Sequence, residues 1–186
     1  TISNSKSLVR AKEGISIQIN KVSVNKSIIN GCSGDMFAYK ESTVAQIPVT
    51  EITNSTLIKP QGRIFYAGNA ASFSIDYCTM YGWGGSKAML ELGDKNTLGM
   101  SLAIKNTILA NGGSNRKAHN ANAAANLSLT IEKVYGTNDM TFHSTLGDVT
   151  KYDKPSTEVF ENPEEGNFKI IDALFPSSIG DPRWTE

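Results

Sequence analysis

Apolar and polar positions along the chain fall into a six-residue phrase that returns. It runs aliphatic, any residue, often Asn, then Ser, Thr or Cys, any residue, apolar. The copies are Val24-Asn25-Lys26-Ser27-Ile28-Ile29, Ile52-Thr53-Asn54-Ser55-Thr56-Leu57, Ile75-Asp76-Tyr77-Cys78-Thr79-Met80 and Ile104-Lys105-Asn106-Thr107-Ile108-Leu109. Their starts are separated by 52−24=28, 75−52=23 and 104−75=29 residues. Recurrence at roughly 20–30 residues marks a solenoid.

A weaker repeat runs out of phase with the first. Short strand-like runs around Val9, Phe37, Phe65 and Leu90 step by 28, 28 and 25 residues. Gly, Lys, Asn and Asp turn material follows each run, at 12–14, 40–42, 68–69 and 93–96. Alternating runs at 15–19, 44–49, 73–75 and 100–104 then lead back into the phrase. No segment keeps a helical period beyond a turn or so.

The pattern predicts an all-β fold, a right-handed single-stranded parallel β-helix of about 4–5 coils. The coils span residues 1–149 with a loop excursion at 111–126, and an irregular segment, 150–186, caps the last coil. One coil alone cannot bury its inward side chains, but coils stacked about 4.8 Å apart pair their backbones and close a continuous core. Two inward columns are expected: Val24/Ile52/Ile75/Ile104 and Ile29/Leu57/Met80/Leu109. Asn54 and Asn106 fall at the bend between strands, where an Asn amide serves turn backbone and stacks on its counterpart; Asn54 is expected to point inward. Thr141–Leu146 reads as a poor fifth copy, 141−104=37 residues on. Leu8 to Lys12 corresponds to a second strand with no phrase ahead of it, which predicts upstream coils of the same protein, or a capping partner, over the first coil.

The ending Ile179-Gly180-Asp181-Pro182-Arg183-Trp184, following coils of the Asn-Thr-Ile-Leu type, resembles the C-termini of a group of Bacteroidetes proteins. These are surface or secreted right-handed β-helix proteins of the pectate-lyase-like superfamily, many of them domains of unknown function. The coil pattern carries the resemblance over most of the chain, and the last six residues are its sharp motif. It implies export, often as a lipoprotein, and genes associated with glycan use. It transfers no catalytic residues.

Charge removes several partners. Lys and Arg number 18 and Asp and Glu 18, so no long-range field draws the chain to nucleic acid or to an anionic membrane. No apolar run is long enough to cross a bilayer, leaving a membrane only through a lipid anchor outside this chain. The two cysteines, Cys32 and Cys78, hold different places in the repeat, so no disulfide is expected. His119 lies in the 111–126 loop and His143 in the poor copy. Without Cys or carboxylate partners at ligand spacing they read as solvated loop residues, and no metal or cofactor is expected. Gly112-Gly113-Ser114 has no strand–loop–helix context for a phosphate. The glycosylation triplets at Asn25, Asn54 and Asn126 are chance products of an Asn/Ser/Thr-rich chain.

Catalysis on such a fold needs carboxylates projecting from adjacent coils of one face. The outward places hold Asn25, Thr53, Asp76 and Lys105 on one strand position and Arg10, Ala38, Tyr66 and Glu91 on another, one acid per face. Binding asks for less: aromatic faces for sugar rings and polar neighbours for hydroxyls. Tyr81-Gly82-Trp83-Gly84-Gly85 carries two aromatics on a Gly-rich turn, where Trp83 either folds down beside the coil or meets a sugar. The candidate glycan contacts are therefore Trp83, Tyr81, Tyr66, Arg10 and Glu91. The expectation is a non-catalytic polysaccharide-binding or surface-scaffold domain of an exported, cell-surface or extracellular protein. The alternatives are part of a polysaccharide lyase or hydrolase with its active site on upstream coils, and an adhesin-like stalk that binds another protein.

Overall fold

The computed structural model describes residues 1–11, 18–39, 47–67, 72–92, 99–125 and 127–185. The turn material expected at 12–14, 40–42, 68–69 and 93–96, the runs at 15–17 and 44–46, and Asn126 lie outside them. Strands come in threes, one trio per coil. The first round is β1 (Ile2–Ser3), β2 (Val9–Arg10) and β3 (Val22–Asn25). The second is β4 (Ile28–Asn30), β5 (Phe37–Ala38) and β6 (Val49–Thr53), and the third β7 (Thr56–Ile58), β8 (Phe65–Ala67) and β9 (Ser72–Asp76). The fourth is β10 (Thr79–Tyr81), β11 (Leu90–Leu92) and β12 (Met100–Lys105). A fifth follows in β13 (Ile108–Ala110) and β14 (Leu127–Glu132), with the short helix α1 (Ala121–Ala124) before β14. β15 (Tyr135–Gly136) and β16 (Thr150–Lys151) extend one side.

Each strand pairs with its equivalents one coil away, giving parallel sheets of seven strands (β1-β4-β7-β10-β13-β15-β16), four (β2-β5-β8-β11) and five (β3-β6-β9-β12-β14). The chain is a parallel β-solenoid of about four turns. Both expected inward columns are present: Val24 pairs with Ile52, Ile52 with Ile75 and Ile75 with Ile104. Ile29, Leu57, Met80 and Leu109 are likewise in register. Side chains alternate across a strand, so β12, Met100–Lys105, buries every second residue and leaves the others half-exposed. The aromatic rings of Phe37, Phe65 and Phe73 stack inside the core, with centroids 5.6 Å and 4.8 Å apart.

The bends explain the phrase. Its third residue takes the left-handed backbone conformation in every coil: Lys26 (φ 49°), Asn54 (48°), Tyr77 (50°), Asn106 (43°) and Lys133 (52°). One such residue turns the chain between sheets, and Asn tolerates it better than most side chains. A second left-handed column, Asn4, Gly31, Lys59, Gly82 and Asn111, follows the strands of the seven-stranded sheet. The fourth residue closes the bend from inside. Ser27, Ser55, Cys78 and Thr107 each donate to the carbonyl two residues back, at 3.0, 2.6, 3.2 and 2.6 Å. Ser55 and Thr107 also accept from the backbone N–H of Ser27 and Cys78 one coil away. Both cysteines are buried and free.

Four expectations change. The fifth copy is Ile131–Gly136, in register on Ile104–Leu109, and not Thr141–Leu146. Its small slot holds Val134 and its last place Gly136, which disguised it. Thr141–Leu146 instead belongs to the end cover, where Met140, Leu146 and Val149 close the core with Phe142 packed against it. The 111–126 stretch is not an excursion through its whole length, because Lys117 O and Ala118 O accept from Met89 N and Leu90 N, so 117–118 lie on the coil beneath. Asn54 does not point inward; its amide reaches the preceding coil and donates to Asn25 Oδ1 at 2.9 Å.

The C-terminal segment is the fourth. Rather than capping the last coil, it lies against the outer face of the seven-stranded sheet. Val159, Phe160, Phe168, Phe175 and Ile179 pack with Ile58, Tyr81, Ile108 and Ala110 into a second apolar core. This is why β7, β10 and β13 are buried at every position, on both faces. Asp181 accepts from Thr56 Oγ1 at 2.7 Å, its N–H donates to Thr79 Oγ1 at 3.1 Å, and Gly180 N–H donates to Asn106 O at 2.8 Å. The terminal motif is thus a clasp across three coils.

Candidate functional site

The opposite, four-stranded sheet keeps its outer face uncovered by that segment. Its inward places go to Val9, Phe37, Phe65 and Leu90, so alternation turns Arg10, Ala38, Tyr66 and Glu91 outward, in register across four coils. Arg63 organises the middle of this row. Its Nη1 donates to both Asp35 oxygens at 3.1 and 3.0 Å, its Nε to Glu91 Oε2 at 2.6 Å, and its backbone N–H to Asp35 Oδ1 at 3.0 Å. Ala88 N–H donates to Glu91 Oε1 at 3.2 Å. The guanidinium lies 3.8 Å from the centre of the Tyr66 ring. Burial disfavours the Arg63 charge, but the Glu91 hydrogen bond and the charges of Asp35 and Glu91 outweigh it, so its pKa is raised. The result is a rigid acid–base–acid rail along the flank.

Two depressions adjoin the rail. One, of about 440 Å³, is lined by Lys6, Arg10, Gln61, Arg63, Tyr66 and Lys87, among others. The other, of about 430 Å³, is lined by Ser86, Glu91, Lys117, His119, His143 and Thr145, among others. Both sizes lie in the range of ligand pockets. Asn120 shapes the second: its amide accepts from Leu92 N at 3.3 Å and donates to Leu92 O at 3.3 Å, continuing the edge strand. His119 Nδ1 is 2.9 Å from Asn120 O, and His143 Nδ1 is 3.2 Å from Thr145 N. Among the described residues no group of three His, Cys, Asp or Glu side chains is placed to hold a metal ion.

Of the residues singled out in the sequence, Arg10, Tyr66 and Glu91 come together here. Tyr81 and Trp83 do not, and a sugar cannot stack on either, since both are 0% exposed. Tyr81 ends β10 on the outer face of the wrong sheet. Its ring packs 5.3 Å from Phe168, and its hydroxyl donates to Glu164 at 2.5 Å and accepts from Asn111 Nδ2 at 2.7 Å. Burial and the Glu164 carboxylate push the phenol up to about 12. Gly82 then turns the chain at φ 67°, and Trp83 enters the main core. The Gly-rich turn that suggested exposure is held by Arg116, whose Nη1 donates to Gly84 O and Gly85 O.

Sequence reading missed His119, His143 and Lys117, having sent both histidines to solvent. One signal was available: a step of one coil from Leu90 lands on His119, 119−90=29, and the two are bridged in parallel. His143 had no such signal: its neighbour Phe142 bridges Arg116 in parallel, 142−116=26, but the residues around the two share no sequence pattern.

Neither a comparison with curated proteins nor one with solved structures gives a match. Residues 73–184 match a family described as "Domain of unknown function (DUF5123)". The span runs from β9 to the terminal clasp and contains Glu91, Lys117, His119 and His143, while Arg10 and Tyr66 precede it. It covers more than half of the chain, which therefore belongs to the DUF5123 family.

Proposed function

We propose that the chain is a non-catalytic β-helix domain of an exported bacterial protein that binds polysaccharide along its four-stranded flank. The observation that carries this reading is the row Arg10–Ala38–Tyr66–Glu91 with a depression on either side of its rail. With coils about 4.8 Å apart, the row is roughly 14 Å long, suited to a polymer crossing coils rather than to one small molecule. Cations at Lys6, Arg10, Lys87 and Lys117 and acids at Asp35 and Glu91 supply donors and acceptors for hydroxyl or acidic substituents. Both acids are already committed to Arg63, a geometry that favours holding a ligand over exchanging protons with one.

The test is a glycan array of pectic, hemicellulosic and host glycans probed with the full-length protein. Binding that is weakened by Arg10→Ala or Tyr66→Ala supports the reading. Binding insensitive to both puts the contact on another face, and absence of binding rejects the function. Unsaturated product from polygalacturonate, followed by ultraviolet absorbance, would replace it with a lyase.

A further inference from the structure

We propose that the depression beside Glu91 is a subsite for a vicinal diol of a neutral sugar ring, read by His119 and His143 locked in opposite tautomers. This rests on the polysaccharide reading above and adds the group recognised.

The locking follows from backbone chemistry. A carbonyl only accepts, so His119 Nδ1, 2.9 Å from Asn120 O, carries the proton, and in the neutral ring its Nε2 is left with a lone pair. A backbone N–H only donates, so His143 Nδ1, 3.2 Å from Thr145 N, holds the lone pair and its Nε2 carries the proton. Neither Nε2 has a hydrogen-bond partner among the described residues. One pocket thus offers an imidazole acceptor and an imidazole donor. Each hydroxyl of a diol donates and accepts, so one donates to His119 Nε2 while its neighbour accepts from His143 Nε2–H. Glu91, clamped by Arg63 and Ala88 N–H, has further lone pairs for a third hydroxyl. An anion would find donors in His143 Nε2–H and the Lys117 ammonium but face His119 Nε2 and Glu91 acceptor to acceptor, whereas a diol brings a donor for each acceptor.

The mounting is preorganised. His143 N–H donates to Arg116 O at 2.8 Å, Asn120 N–H donates to Leu90 O at 3.2 Å beside His119, and Thr145 Oγ1 accepts from Ala118 N–H at 3.1 Å. These bonds tie the backbone that carries each ring to the coil beneath, so little order is lost on binding.

The experiment uses the full-length protein with ¹⁵N-labelled histidine. A long-range ¹⁵N–¹H correlation spectrum should show the Nδ1–H form for His119 and the Nε2–H form for His143. Neutral hexasaccharides of glucose, mannose, galactose and xylose, with hexagalacturonate alongside, are then titrated in. One neutral member should shift both Nε2 resonances. His119→Ala and His143→Ala should each weaken its binding about tenfold, with melting temperature as the folding control. His119→Gln, whose side-chain oxygen can accept the same bond, should recover part of the loss. The same tautomer at both rings overturns the proposal. So does binding that needs Tyr66 but is indifferent to both histidines, which leaves the wider reading standing. Tight binding of hexagalacturonate alone overturns the diol, and no binding by any member overturns both readings.

Discussion

Thr107 has no exposed surface, yet it is polar, because two backbone groups depend on it. Its hydroxyl donates to Lys105 O at 2.6 Å and accepts from Cys78 N at 3.4 Å, across the bend that Asn106 makes at φ 43°. Thr107→Val keeps the shape and strands both partners, so it should cost about 1–3 kcal/mol in urea unfolding; an unchanged midpoint would contradict the bond. Ile104 sits between Ile75 and Ile131 at 0% exposure. Ile104→Asp should therefore cost several kcal/mol and abolish a cooperative melt at the parent temperature. The sequence pattern made the bend legible, but credited its interior contact to Asn54 when Ser55 makes it. Periodicity reports how often a position recurs, and says nothing of where a left-handed residue sends its side chain.

The C-terminal segment shows what a single element adds. It begins with α2 (Ser156–Val159) and a hairpin of β17 (Phe160–Asn162) and β18 (Asn167–Ile170), then runs to the clasp. Gly180 has φ 91°, and a Cβ there would lie 2.7 Å from Ile108 Cδ1 and 2.9 Å from Thr79 Oγ1. Gly180→Ala should cost about 1–3 kcal/mol and speed proteolysis of 171–185, with the coils' circular dichroism unchanged. Asp172 gives the segment an acid dependence. The Tyr152 hydroxyl at 2.6 Å, the Lys154 ammonium at 2.9 Å and Leu174 N–H hold its carboxyl down at about 2. A depressed carboxylate stabilises fully above its unfolded value of about 3.9 and loses that contribution as pH falls through about 2. Between those limits the melting temperature should fall in the parent and less in Asp172→Asn; equal slopes would show that the contacts do not matter. The segment's Phe, Pro and charged residues were legible as irregular. Its docking was not, because the outward apolar places of β7, β10 and β13 looked like ordinary strand residues until something lay on them.

The stack as a whole behaves as a row of neighbours, each coil held by the ones before and after it. Middle coils bury Ile52, Ile75 and Ile104 completely, whereas Val24 in the first is only half-buried. Native-state hydrogen exchange should therefore be slowest in β6, β9 and β12 and faster in β3; uniform protection would mean the coils open together. Coil number, strand order, inward columns and three of the groove residues could be read from one chain, since a repeat forces each coil to bury equivalent positions against the next. The covered face, the end cover and the placing of His143 depend on segments without a legible repeat, whose places are set by which surface is left for them to bury. Apolar surface left on the seven-stranded sheet drew in the C-terminal segment, enclosed Tyr81 and left the four-stranded flank clear of that segment. Local pattern specifies what stacks, and only the assembled surface decides what is covered.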